Sequence, residues 1–556
     1  MIAGLFTFNG GVKPDTHKNE SAHAPIRPAP IPPRLFVPLR LSARATTRCI
    51  VEAGQQVRKG QPIGVPDDPL STTVHAPTSG TVLGIELHTM AHPSGLKTRC
   101  VIIEPDGEDR WIEHPGFDAE HASREATLAW LRDCGVVGLG GATFPSHIKA
   151  SAAGRIDTLI LNGAECEPWI TCDDRLMRER AGNILAGAQR LRRLIGASRI
   201  LIGVEDNKPE AIAALTEAAA GDTAVRVQAV PALYPAGGEK QLIRVLTGIE
   251  IPAGKLGGDY GVQCFNVGTA YAVHRAIEHG EPLLSRVVTV TGNVAQPGNY
   301  EVLIGTPVDF LLELAAPKTD TQRVLMGGPM MGFALPALDV PVVKASNCLI
   351  ACSPTLFPPP PPEMNCIRCG ACAQACPADL QPFELYWFSR AKNFGKAQEY
   401  HLFDCIECGC CAYVCPSHIP LVDYYRFAKS EIWAREREKS AADAARDRFE
   451  FRNERQEREK REKAEKLAAK AAATKAKLAE KAAADGTEKT DAPASDDPKR
   501  ALIAAALERA KQQKTQVEAK NTDALTPAQK AQIAAAEARR AAADTPPAGP
   551  DETENP

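Results

Sequence analysis

Eight cysteines carry the plainest chemistry in the chain. Cys366, Cys369, Cys372 and Cys376 follow the spacing C-x-x-C-x-x-C-x-x-x-C with Pro377 next, and Cys405, Cys408, Cys411 and Cys415 repeat it ahead of Pro416. A cubane iron–sulfur cluster needs four thiolates converging on one small volume. A tight loop supplies three of them, and the fourth arrives from elsewhere. In two-cluster ferredoxins the last cysteine of each run ligates the other cluster. The spacing therefore predicts one 4Fe–4S cluster on Cys366, Cys369, Cys372 and Cys415, and a second on Cys405, Cys408, Cys411 and Cys376. Backbone amides of Ile367–Ala371 and Ile406–Cys410 are placed to donate to the sulfurs and tune their potentials. Zinc sites use two separated cysteine pairs instead of triplets with a trailing Cys-Pro, and disulfides do not suit a chain expected in the cytosol. Cys410, between two ligands, is assigned no role. Cys49, Cys100, Cys134, Cys166, Cys172, Cys264, Cys348 and Cys352 lack metal-site spacing and read as small buried hydrophobes.

A cluster pair passes electrons singly, so something must supply them. In CGVVGLGGATFPSHIK from Cys134, the glycines Gly138, Gly140 and Gly141 precede a predicted helix, where backbone amides can approach a phosphate. A plain turn explains the same glycines as well. In LILNGAECEPWITCDDR from Leu159, the residues Asn162, Glu165 and Glu167 follow an apolar strand, where ligands sit in open α/β sheets. These carboxylates suit a flavin ring or ribose hydroxyls, and equally a solvated loop. The residues alone leave both readings open.

The elements that must position these groups follow from composition. The chain has 556 residues, with 65 Lys+Arg against 68 Asp+Glu for a net charge of −3. That length predicts three or four domains at roughly 150 residues each. The absence of a basic excess argues against a dedicated nucleic-acid binder. No run approaches the ~18 apolar residues of a spanning helix. The opening MIAGLFTFNGGVKPDTHKNE lacks the basic and apolar regions of a signal peptide, which leads to the cytosolic expectation. Residues 1–115 read as a β module, with short apolar runs at Leu35–Leu41, Gly54–Val65 and Val74–Ile85. Residues 120–284 alternate helices with strands such as Thr158–Leu161 and Ile200–Val204, and residues 285–345 form a β-rich module that includes Arg286–Thr291. A Pro-rich linker is expected at 346–362, with five prolines at Pro358–Pro362. The cysteine-dense domain occupies 363–430. Residues 431–556 form an Ala/Lys/Glu-rich tail, helical or disordered, with look-alike segments from Pro498 and Pro527.

Several motifs in order resemble known families. Gly138–Lys149, Asn162–Pro168, Tyr234–Glu239 (YPAGGE) and Asn266–Thr269 (NVGT) resemble the NADH- and FMN-binding flavoprotein subunit of respiratory complex I. Leu139 stands where that family has an Arg, Ala164 where it has an Asp, Gly238 where it has a Glu and Phe265 where it has an Asn. A closer resemblance runs through FNGGVKPDTHK, HAPTSGTV at His75–Val82, the flavoprotein-like core, CIRCGACAQACP and DCIECGCCAYVCPSHIPLV. This order is similar to the C subunit of the Rnf (Rsx) ion-translocating electron transport complex.

The resemblance implies an α/β multidomain chain: an N-terminal barrel sandwich, a flavoprotein-like core with a β-grasp module, and a two-cluster ferredoxin-like domain before the tail. It further implies an NADH-linked oxidoreductase subunit of an ion translocase, peripheral on the cytoplasmic side of the inner membrane. Its cofactors would be FMN and two 4Fe–4S clusters, with NADH or NAD as substrate. Its partners would be the other subunits of the complex, integral membrane ones included, and a ferredoxin-like carrier; no nucleic acid is implied. The implied cofactor residues are Gly138, Gly140, Gly141, Phe144, Lys149, Asn162, Glu165, Glu167, Gly237, Glu239, Asn266 and Thr269. Lys149 would lie near the flavin phosphate, and Phe144 would stack on nicotinamide. VEAGQQVRKGQPIG together with HAPTSGTV resembles a biotinyl or lipoyl barrel sandwich. Val74–Val82 contains no Lys, so the module reads as a scaffold. Val288–Pro307 resembles a soluble ligand-binding β-grasp module, with Asn293 and Gly298 as turn residues. Two rivals remain at this point: a flavin-free iron–sulfur relay, and an interaction protein whose clusters only hold the fold.

Overall fold

The computed structural model describes residues 4–42, 45–151, 154–484, 505–506 and 508–509. In the first module alternating apolar residues turn one way. Leu35, Val37 and Leu39 meet Val57, Ile63, Val82, Val101 and Ile103 in one core. The strands form two four-stranded antiparallel sheets, one built on the long pair Gly80–Thr89 and Lys97–Pro105 and the other on Ala45–Cys49 and Pro62–Pro66.

The next domain holds helix α1 (Ser146–Ser151), strand β1 (Thr158–Gly163), helix α2 (Cys172–Ile195), strand β2 (Arg199–Glu205), helix α3 (Pro209–Ala218), strand β3 (Val225–Val230), helix α4 (Glu239–Thr247), strand β4 (Val262–Asn266) and helix α5 (Val267–Glu278). The four strands are parallel, in the order β3-β2-β1-β4. Their continuous apolar runs, such as Leu159–Leu161, are buried on both faces, as a parallel sheet requires. The chain moves outward from β1 through β2 to β3, then returns to add β4 on β1's other side. The strand order therefore reverses between β1 and β4, and Asn162 pairs in register with Asn266 at that point. Helices α2 and α5 pack closely because Gly187 has no Cβ; one added there would overlap the Ala270 carbonyl and approach His274 N to 3.1 Å.

A six-stranded mixed sheet follows, centred on Ser285–Gly292, Gly298–Leu303 and Cys348–Cys352. The last of these corrects the linker read at 346–362. Residues 348–352 form a fully buried strand, parallel to Ser285–Gly292 and antiparallel to Arg323–Met326. The run Cys-Leu-Ile-Ala-Cys is apolar throughout, the pattern of a strand buried on both faces, and the nearby prolines obscure it.

The two cysteine runs fold as a backbone repeat. Arg368 and Glu407, Gly370 and Gly409, and Asp379 and His418 all have positive φ at equivalent places. Each glycine precedes a one-turn helix, Ala371–Gln374 or Cys410–Tyr413. Around them Leu385, Tyr386, Tyr425, Ala428 and Ile432 form the core. Helix Leu421–Ala484 begins inside this core, so the tail boundary drawn at 431 falls within an unbroken helix. Residues from Ala445 onward count as a second compact unit, whose described part to residue 481 is helical and exposed at all but one position. An i,i+4 ion pair, Arg455–Glu459 at 3.1 Å, lies along it. Of the look-alike segments, the one from Pro527 lies outside the described residues, and so does the one from Pro498 apart from residues 505–506 and 508–509, which are helical. No described helix is long and apolar enough to cross a membrane.

Candidate functional site

The eight repeat cysteines gather around two small cavities. Cys366, Cys369, Cys372 and Cys415 line one, with Ile367 and Phe383. Cys376, Cys405, Cys408 and Cys411 line the other, with Leu380 and Tyr425. Each cavity therefore takes three cysteines from one run and the trailing cysteine from the other. Four soft donors around an otherwise apolar space suit a cubane cluster. Amides also approach the sulfurs: Glu407 N donates to Cys405 Sγ at 3.4 Å. Burial pushes the Cys405 thiol up to about 11, a cost that a bound cation reverses by holding the thiolate. The Cys405 loop is braced by Lys429, whose Nζ donates to Cys405 O at 2.7 Å and pairs with Glu407 at 2.9 Å.

The two cavities differ in surroundings. Tyr234 is buried, and its hydroxyl donates to Cys408 O at 2.6 Å. Cys410 packs beside Tyr234 with no exposure. Gly409 has no room for a side chain, because a Cβ would lie 2.6 Å from Met330 O. The Glu167 carboxylate holds that Met330 turn by accepting from Met330 N at 2.7 Å and Met331 N at 3.0 Å. The segment Gly10–Val12 joins both sides: Gly11 N donates to Ala375 O at 3.0 Å, and Val12 exchanges two hydrogen bonds with Tyr234. The Cys405 cavity thus abuts the α/β domain. The other cavity lies beside Ile367, 67% exposed, and the exposed Cys369.

Tyr234–Gly237 leads directly to the strand-order reversal. Asn162 Nδ2 donates to Gly237 O at 2.8 Å, and Gly237 N donates to Cys166 Sγ at 3.3 Å. Across the reversal the Gly-rich loop is held at both ends. Gly138 N donates to Phe144 O at 2.8 Å, and Leu139 N donates to Thr269 Oγ1 at 2.9 Å. Gly140, Gly141 and Ala142 are exposed, and their amides have no protein acceptor among the described residues. Such a row of free N–H groups is a ready cradle for a phosphate. Lys149 Nζ stands nearby on α1, paired with Glu239 at 2.7 Å and 5.5 Å from the Phe265 ring centroid. Asn266 caps α5 by accepting from Gly268 N at 2.8 Å, and donates to Asp173 at 2.6 Å. Phe144 is 45% exposed at the loop's end, free to meet a planar ligand.

Glu165 and Glu167 are placed differently from the rest. Glu165 accepts from Asp173 N at 2.8 Å and so caps α2. Desolvation pushes its carboxyl above the usual carboxylate range; Lys18 and Lys208 oppose that shift and Asp173 adds to it. Glu167 faces the Met330 turn, as described. Both shape the loop beyond β1 through these bonds. Sequence reasoning passed over the residue that holds the loop from the other side. Lys18 Nζ donates to the carbonyls of Glu165 at 2.6 Å, Glu167 at 3.0 Å and Ile170 at 2.7 Å. Its only signal was its place in FNGGVKPDTHK, since a partner some 150 residues away leaves no local pattern.

Four family models match the chain: the RnfC barrel sandwich hybrid domain over residues 6–108, the Nuo51 FMN-binding domain over 131–275, the SLBB domain over 287–334 and the 4Fe-4S dicluster domain over 365–419. Proteins named as the C subunit of the ion-translocating oxidoreductase complex align with it. The one from Yersinia pseudotuberculosis serotype O:3 (strain YPIII) is 48% identical over 72% of this chain and 58% of its own length. That from Serratia proteamaculans (strain 568) is 48% identical over 72% of this chain and 57% of its own. This chain belongs to the RnfC family. The barrel-sandwich match covers the first module of this RnfC family member, and the FMN-binding and dicluster matches cover the two regions just described. It spans less than two thirds of those relatives' length. A chain of the NAD+-reducing [NiFe]-hydrogenase in the H2-reduced state superposes on it with a TM-score of 0.41 at 20% identity, covering 56% of this chain and 63% of that one.

Proposed function

We propose that this chain carries electrons between NADH and partner subunits of a membrane-bound ion-translocating complex, using FMN and two 4Fe–4S clusters. The observation that carries this reading is the packing of the Cys376/Cys405/Cys408/Cys411 cavity, through Tyr234 and Gly237, against the strand-order reversal at Asn162 and Asn266. FMN, when bound, supplies the exchange between two-electron hydride chemistry and single electrons. The chain's own residues do the rest. The amides of Gly140 and Gly141 bind the phosphate, with Lys149 supplying positive charge beside it. Thr269 fixes the loop through Leu139 N, while Asn162 and Asn266 fix the strand ends flanking the ring. Phe144 offers a face for nicotinamide, and Glu239 on α4 and Gly237 in the turn before it close the site. Glu165 and Glu167 act as positioning residues. Cys366, Cys369, Cys372 and Cys415 hold the outward cluster, and Cys376, Cys405, Cys408 and Cys411 the inward one. Partner subunits, a ferredoxin-like carrier among them, meet the outward side near Cys369 and Ile367. The chain sits on the cytoplasmic side of an inner membrane through those partners.

The test is anaerobic purification followed by iron, acid-labile sulfide and FMN assays, then addition of NADH with flavin absorbance followed. The reading expects about eight irons and one FMN per chain, with bleaching by NADH. The same iron with no flavin, even after FMN is supplied, would leave a flavin-free relay and remove the NADH-linked activity.

A further inference from the structure

A large cavity lies apart from the two cluster cavities and borders the Gly-rich loop at Thr143. It measures about 550 Å³ and sits between the barrel sandwich and the β-grasp sheet. That is within the ~300–1,000 Å³ of small-molecule sites. Aliphatic side chains stand on both sides, Val37, Val74 and Leu96 facing Leu284, Ile304 and Val343, with threonines, Ser94 and two histidines among the remaining lining. No Phe, Tyr or Trp lines it; its only rings, among the described residues, are the imidazoles of His75 and His92. No Asp or Glu lines it either, whereas Arg40, Lys97 and Lys344 do.

Lys344 is the second observation. It is 8% exposed, and its Nζ makes one hydrogen bond, to Gly135 O at 2.6 Å. Two of its three N–H donors therefore have no protein acceptor, and no carboxylate is within ion-pair distance of it among the described residues. The neighbouring group is a buried imidazole, His75, which burial first and Lys344 second keep neutral. A buried ammonium without a counter-ion is costly, and a ligand anion would remove that cost.

We infer that this cavity is a second ligand site, for an aliphatic carboxylate whose head group pairs with Lys344 and whose chain lies along Val37, Val74, Leu284 and Ile304. The site is separate from the proposed flavin and cluster positions, but Lys344, Arg286 and Thr143 tie it to the Gly-rich loop. Arg286 donates to the Lys344 carbonyl and, at 3.4 Å, to Leu139 O, while Lys344 itself holds Gly135 O. The site's occupant thus draws on the group that anchors the start of the Gly-rich loop.

The probe is decanoate, titrated calorimetrically into the full chain, with decanol as the uncharged control. The expected result is saturable binding at one decanoate per chain, at least tenfold tighter than decanol. Lys344→Met should abolish that preference, and Lys344→Arg should restore most of it. Should Lys344→Met fail to fold, Leu96→Glu serves instead: Leu96 is 71% exposed at the rim, and a carboxylate there should weaken decanoate several-fold while leaving decanol unchanged. No saturable decanoate binding, equal binding of decanol, or one-for-one displacement of decanoate by NADH would each overturn the assignment. None of these readouts depends on flavin or iron content, so failure here is distinct from failure of the electron-carrier reading.

Discussion

Replacing Tyr234 by Phe tests the seam between the α/β domain and the inward cluster cavity. The ring stays, and only the hydroxyl that donates to Cys408 O at 2.6 Å is lost. Tyr234 is 3% exposed and Cys408 7%, so water does not readily replace the missing donor. Leaving a buried carbonyl unpaired costs ~1–3 kcal/mol. Relief from burying the phenol offsets part of this, and we expect a net loss of about 1.4 kcal/mol, or tenfold in the opening equilibrium of the seam. Three amides report that opening: Gly11, bonded to Ala375 O, and Val12 and Tyr234, bonded to each other's residue. Native-state hydrogen exchange should show about tenfold faster exchange at these three, with no change at Ile160 in the centre of the parallel sheet. Iron content should be unaltered, because no thiol is touched. Changes below about twofold at all three amides would refute the claim that this hydroxyl holds the seam.

Cys415→Ser and Cys376→Ser should each lower iron from about eight to about four per chain, and electron paramagnetic resonance should show different clusters surviving in the two variants. Loss of the same cluster in both would end the crossed assignment. Gly187→Ala forces a methyl into the Ala270 carbonyl where α2 crosses α5; urea denaturation should show a loss of ~1–3 kcal/mol or more. Burial without a counter-ion brings the Lys344 ammonium down to about 7, so between pH 7 and the ordinary lysine range the unfolded chain binds more protons than the fold. Stability of the native chain should therefore rise relative to Lys344→Met by ~1.4 kcal/mol per pH unit above pH 7, and parallel stability curves from pH 7 to 9 would exclude a depressed lysine.

What could be read in advance followed from how local the chemistry is. Cluster ligation needs three thiolates within one loop, so Cys366–Cys376 and Cys405–Cys415 declared themselves by spacing. The α/β domain was legible because helical stretches alternate with apolar strands such as Thr158–Leu161. Strand Cys348–Cys352 was missed because five short apolar residues beside a proline run carry no periodicity. Lys18, Gly10–Val12 and Lys344 were missed for another reason. Their partners are Glu165, Ala375 and Gly135, all far away in sequence, and nothing local records which distant carbonyl a lysine will meet. Glu165 and Glu167 were found as residues, but their bonds to Asp173 N and Met330 N could come only from the folded chain.

The Gly10–Val12 segment also has a consequence for how the molecule comes into being. These residues leave the ribosome several hundred positions before Ala375 does, and at ~5–20 residues per second the wait is on the order of tens of seconds. During that interval Val12 can already bond Tyr234 once the latter has emerged, but Gly11 N has no carbonyl to meet. The seam is completed only when the cysteine repeat folds around its iron. Residues made several hundred positions ahead of their partner are thus among the last to be fixed, and cluster delivery becomes the step that ends assembly. A chain starved of iron should keep its parallel sheet and yet remain open to proteases near residues 10–12, which would mark unfinished molecules for removal before they engage any partner.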